Sequence, residues 1–276
     1  MIKGVLCSTG ALITRRNGRD PRLLPGFASA INCSGFELML YPSWYEDGKL
    51  SGYIDFLCDS GLNFPVLHAD KSIGELLSMG GDDNVKEAWR RFTINCRAAE
   101  LVNSDLMVLH LWGGPASDYE IERNIGELPS FMDYAGERGL RLTVENVVCA
   151  KQSPLEIIKT IIAKVPGAVF TIDTKMAEFH SELAETLAYA PLFEGGRAVH
   201  LHVNDYGGGY KDFNDLRVLH LGCGHVDFES FFKKLNAVGY HGYATVEATS
   251  VLEDGSIDFE KLNNSLNIVK SRLADD

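Results

Sequence analysis

Short apolar runs alternate with stretches of helical period along most of the chain. Eight runs rich in β-branched and aromatic residues read as strands: 2–7 (IKGVLC), 36–41 (FELMLY), 64–69 (FPVLHA), 106–112 (LMVLHLW), 140–147 (LRLTVENV), 168–174 (AVFTIDT), 198–204 (AVHLHVN) and 243–248 (YATVEA). They recur roughly once per 34 residues, the repeat of a strand–helix unit. Between them, 84–104 places Val85, Ala88, Trp89, Phe92, Cys96 and Ala99 on one helical face, with Lys86, Glu87, Arg90 and Arg91 off it. Ser153-Pro154-Leu155-Glu156 has the sequence of a capping box with proline at the first helical position. Asp227 can cap a helix carrying Phe228, Phe231, Phe232, Leu235 and Val238, and Phe259, Leu262, Leu266, Val269 and Leu273 mark the last helix.

The first half is less regular. Residues 14–27 read as a polar loop, 71–83 with Gly74, Gly80 and Gly81 as a loop or lid, and 206–221 with Gly207–Gly209 as another loop. The acidic pairs Asp82-Asp83 and Asp275-Asp276 read as solvated ends. No compositional break separates domains. The alternation therefore predicts one (β/α)8 TIM barrel over residues 1–276, with an open doubly wound sheet as the alternative.

Composition narrows the partners. The chain has 276 residues, 45% hydrophobic and 23% charged, with a formal net charge of −12. Phosphate contacts need an excess of Lys and Arg, so this balance argues against nucleic acid and against an anionic membrane surface. Cys7, Cys33, Cys58, Cys96, Cys149 and Cys223 show no metal-knuckle spacing and read as reduced thiols. Arg15, Arg16 and Arg19 follow the apolar start of the chain, the reverse of a signal peptide. No run reaches the ~18 apolar residues of a membrane span. The expectation is a cytoplasmic protein.

The chemistry lies where the strands end, because the carboxyl ends of barrel strands surround the active site. There the chain places His68, His110 and Trp112, Glu145-Asn146, Asp173, His200, His202 and Asp205, and Glu247. Buried without partners, such groups cost several kcal/mol each, on the order of a lost hydrogen bond or more. A divalent cation coordinated by Glu145, Asp173, His202 and Glu247, one ligand from each of four successive strands, removes that cost. Three carboxylates and an imidazole suit Mn2+ or Mg2+, with Zn2+ or Co2+ as further options. A salt-bridged network with Arg141 or Lys175 is the structural alternative. His68 and His110 divide between substrate contact, a second metal and packing. Trp112 can stack on a sugar ring or cover core, and His200 reads as a hydrogen-bonded core histidine.

The runs LTVEN, TIDT, HLHVND, LGCGHVDF and YATVEA, in this order and spacing, resemble the xylose isomerase-like TIM barrel superfamily, which groups sugar isomerases and epimerases with apurinic-site endonucleases. The resemblance is clearest over 64–249. It implies that Glu145 and Glu247 bind the metal and exchange protons with a sugar or sugar phosphate from opposite faces through an enediolate, while Asp173 and His202 act as ligands alone. It also implies that Asp205 supports the ligands from behind or anchors a loop, that an arginine matched by Arg217 reaches substrate oxygens, and that a homo-oligomer is an option. Met176 departs from the pattern, standing where members carry a histidine, and the loop after strand seven lacks the Asp-x-His pair of the endonucleases. Two alternatives follow: a phosphoester hydrolase drawing His68 and His110 onto further metals, and a non-catalytic sugar-binding barrel.

Overall fold

The computed structural model describes residues 2–273, so Asp275-Asp276 lie outside the described residues. All eight expected strands form: β1 (Gly4–Ser8), β2 (Phe36–Met39), β3 (Val66–His68), β4 (Leu106–Leu109), β5 (Arg141–Glu145), β6 (Val169–Asp173), β7 (Ala198–His202) and β8 (Tyr243–Val246). In hydrogen-bonding order they run β1 to β8 and close on themselves, a parallel TIM barrel of the xylose isomerase-like type. Each strand is shorter than its apolar run: His68, Glu145, Asp173 and His202 are the last residues of their strands, while His110, Asn204 and Glu247 follow theirs. Thr143 on β5 and Thr171 on β6 meet at 3.1 Å through their hydroxyls, both fully buried. Strand alternation puts Glu145 and Asp173, two residues further on, on the same face as these threonines.

The described residues divide into two compact units, 2–37 with 60–63 and 172–273, and 38–59 with 64–171. In the first, Asp227 accepts the Ser230 N–H at 3.0 Å and opens the helix Phe228–Ala237, which buries Phe231, Phe232 and Leu235. In the second, Ser153 caps the helix Pro154–Lys164, and Leu155, Ile157, Ile158 and Ile161 form its buried face. The helix Asp82–Leu101 stacks Phe92 on Phe131 with ring centroids 4.1 Å apart. Burying such a side chain contributes about 1.5–3 kcal/mol.

One expected loop is a helix. Ser72–Met79 is helical, and Gly80 and Gly81, both at positive φ, turn the chain into the next helix at Asp82. Gly74 sits inside the first helix because a Cβ there would lie 2.3 Å from the His110 carbonyl oxygen and 2.8 Å from the Trp112 nitrogen. The glycine permits a close approach of helix to strand end and does not mark a break. Residues 206–221 are a loop as expected, tied at its ends by the antiparallel bridge Asp205↔Leu219.

Candidate functional site

In the first unit, three of the expected ligands meet. Asp173 ends β6 and caps the helix Thr174–Phe179: its Oδ1 accepts the N–H groups of Lys175 and Met176 at 2.7 and 3.2 Å. Its Oδ2 lies 3.5 Å from the Asn204 side-chain nitrogen, which also donates to Glu247 Oε2 at 3.0 Å. The Asn204 oxygen accepts the Glu247 backbone N–H at 3.0 Å, so the orientation of the amide is settled by its own bonds. His202 Nδ1 stands 3.4 Å from Glu247 Oε2, while its Nε2 lies 3.0 Å from Glu37 Oε1.

Glu37, on β2, is fully buried beneath these groups. Its other oxygen takes His200 Nε2 and the Thr245 hydroxyl, each at 2.7 Å. Burial alone would raise the Glu37 carboxyl, but His202 and His200 hold it well below the usual carboxylate range. His200 is thus a hydrogen-bonded core histidine, as its place one layer deeper than His202 implies. Burial also lowers its own pKa against the pull of Glu37.

In the second unit, His68, His110 and Glu145 bring their ligand atoms within 4.8 Å of one another, all buried. His68 Nδ1 lies 2.8 Å from the Ala69 carbonyl oxygen, which can only accept. With Nδ1 so engaged, Nε2 is the nitrogen that meets Glu145 Oε2, 3.3 Å away. His110 Nε2 is 2.6 Å from the same oxygen without the alignment of a hydrogen bond. Burial pushes the His110 imidazole down to about 4 despite Glu145 beside it, so this ring is neutral at pH 7. Nitrogen and oxygen donors that face one another in this way fit a cation, and the same holds for His202 Nδ1 and Glu247. Arg141, offered by the sequence as a neutralising partner, is exposed at the start of β5.

A family model described as xylose isomerase-like TIM barrel matches residues 26–264. The chain belongs to that family. An uncharacterised protein of Methanocaldococcus jannaschii is 26% identical over 263 residues, covering 88% of this chain and 84% of that protein. An L-ribulose 3-epimerase of a Methylomonas species is 27% identical over 176 residues, 61% of this chain and 54% of the epimerase, so the match spans about half of that relative. A crystal structure of a D-tagatose 3-epimerase-like protein superposes with a TM-score of 0.72 over 98% of this chain and 97% of that one, at 17% identity, a likeness of fold.

Within this xylose isomerase-like barrel the two expected substrate contacts Trp112 and Arg217 have these settings. Trp112 is fully buried and donates its indole N–H to the Val148 carbonyl at 3.1 Å, the setting of a core residue. Arg217 is exposed and paired with Asp215 at 2.5 Å. Asp205 anchors a loop: its carboxylate accepts the N–H groups of Tyr206, Gly222, Gly224 and Val226 at 2.8–3.0 Å. Met176, in place of the family histidine, is buried, with its backbone N–H on Asp173. Sequence reasoning missed Glu37 and Asn204. The signals were there: an acid as the second residue of the apolar run FELMLY, and an asparagine two residues after His202, on the same strand face.

Proposed function

We propose that the protein is a divalent-metal-dependent isomerase or epimerase of ketose sugars or their phosphates. Glu145, Asp173, His202 and Glu247 hold the cation, with Mn2+ first and Zn2+, Mg2+ or Co2+ suited to the same donors. The observation that carries this reading is the setting of His202, whose Nε2 is taken by Glu37 and whose Nδ1 is turned to the Glu247 carboxylate beside Asp173. Strand register supports adding Glu145: it pairs with Thr171, two residues before Asp173, as His202 pairs with Thr245, two residues before Glu247. The similarity to an L-ribulose 3-epimerase and to a ketose 3-epimerase of Arthrobacter globiformis, 26% identical over 149 residues, supports the substrate class.

A cation bound there supplies polarisation of a carbonyl and its neighbouring hydroxyl, which acidifies the carbon-bound proton between them. The protein's own groups do the proton transfer. One of Glu145 and Glu247 removes the proton from one face of the substrate, and the other returns one from the opposite face, which inverts the centre. Asn204 fixes the Glu247 carboxylate, His68 meets that of Glu145, and His110 lies beside it where a substrate hydroxyl would be met. Burial of these groups keeps competing water out.

Incubating metal-loaded protein with a panel of free and phosphorylated ketoses in D2O, read by NMR, tests the reading. Deuterium should enter at C3 or C1, and Glu145→Gln and Glu247→Gln should each slow this by about 10²–10⁴ with fold retained. Ligand binding without any exchange across the panel would leave a sugar-binding barrel instead. A second reading, a phosphoester hydrolase, is favoured by the convergence of His68 and His110 on Glu145, which suits a further cation. It requires two or three ions per chain.

A further inference from the structure

We infer that Glu37 is the positioning residue of the metal centre: it fixes the tautomer and orientation of His202 so that Nδ1 is the ligand atom. The inference rests on the proposed metal reading and adds to it a residue outside the ligand set. Glu37 lies on β2 in register with Ser8, and its carboxylate is fully buried. Three donors take its two oxygens: His202 Nε2 at 3.0 Å, and His200 Nε2 and the Thr245 hydroxyl at 2.7 Å each. An ionised carboxylate only accepts, so both imidazoles present an N–H at Nε2. A neutral His202 with its proton there carries its lone pair on Nδ1, the atom 3.4 Å from Glu247 Oε2.

Neighbours leave the ring little freedom to turn. The His200 ring stands at 88° to that of His202, with centroids 5.1 Å apart, and is held by the same carboxylate. Thr245 is the β8 register partner of His202, so the hydroxyl on Glu37 comes from the adjacent strand. Glu37 therefore acts on a cation through His202, as a carboxylate that orients an imidazole ligand and raises its basicity. Gln at this position keeps the shape but offers one acceptor to three donors, and its amide N–H groups face N–H groups.

The test compares wild type, Glu37→Gln and Asp173→Asn by calorimetric titration with Zn2+ and Mn2+, alongside the histidine 15N spectrum of the Zn2+-loaded protein. Wild type should bind, with His202 keeping a protonated Nε2 and a metal-shifted Nδ1. Glu37→Gln should weaken affinity by about 10–100-fold at unchanged near-UV circular dichroism. Zn2+ affinity in Glu37→Gln equal to wild type, with Asp173→Asn impaired, overturns the role of Glu37 and leaves the metal reading standing. If wild type itself fails to bind either ion, the metal reading falls and takes this inference with it. Should Glu37→Gln not fold, the wild-type spectrum decides alone: a metal-shifted Nε2 on His202 overturns the proposal.

Discussion

Asn204 and Glu247 hold each other twice: the asparagine side chain donates to the glutamate carboxylate and accepts the glutamate backbone N–H, both at 3.0 Å. The same amide nitrogen reaches toward Asp173. A single neutral side chain thus keeps two carboxylates in place that would otherwise repel. Asn204→Ala should leave the Glu247 backbone N–H without its acceptor and the Glu247 carboxylate without its amide donor, at about 1–3 kcal/mol each. Urea unfolding of the metal-free protein should record this loss, and an unchanged midpoint would contradict the part given to Asn204.

Asp205 gathers four backbone N–H groups from residues 206–226, so the loop after β7 hangs on one carboxylate. Asp205→Ala should lower stability by about 2–3 kcal/mol, since charge-assisted bonds are lost and the Tyr206 and Val226 donors are left buried. Limited proteolysis should then cut within 206–226 faster than in wild type. Equal cutting rates would show that the loop is held elsewhere.

Gly74→Ala should be costly although alanine favours helices. The added methyl would press on the His110 carbonyl and the Trp112 backbone, neither of which is a flexible side-chain end. Overpacking of this kind costs about 1–3 kcal/mol. The prediction is a lower denaturation midpoint, whereas helix propensity alone predicts a higher one.

His220 is buried and bonded to Ser265 through Nδ1 at 3.1 Å, and burial followed by the Lys261 charge lowers its pKa. The unfolded chain binds the His220 proton more readily than the folded one. This contribution is therefore fully present above the unfolded value of about 6.5 and is lost as pH falls below it toward the folded value. Unfolding free energy measured from pH 7.5 to 5 should fall less steeply in His220→Asn than in wild type. Superimposable slopes would contradict the assignment.

The fold was legible in the sequence because strand and helix periods differ and both are carried by side chains that end up buried. Runs such as LRLTVENV and AVFTIDT contain β5 and β6 with a residue or two to spare. The helix Ser72–Met79 was hidden because Gly74 has the signature of a loop, and only the backbone of another element explains it. The helix Ile121–Gly136 carries an internal Pro129, which blurs its period. For the site, strand ends picked out acids and imidazoles that the fold gathers, since a polar residue finishing an apolar run needs a partner. Trp112 is named from its strand end and Arg217 from the resemblance, and neither burial nor the path of a loop can be read from those signals. Glu37 escaped because its partners, His200, His202 and Thr245, lie more than 160 residues away.

Metal stoichiometry by native mass spectrometry, on wild type, His202→Asn and His68→Asn, reaches the centre of the account. One ion per chain in wild type, kept by His68→Asn and lost by His202→Asn, is the expected result. Two or more ions in wild type, or an ion retained by His202→Asn and released by His68→Asn, would contradict it.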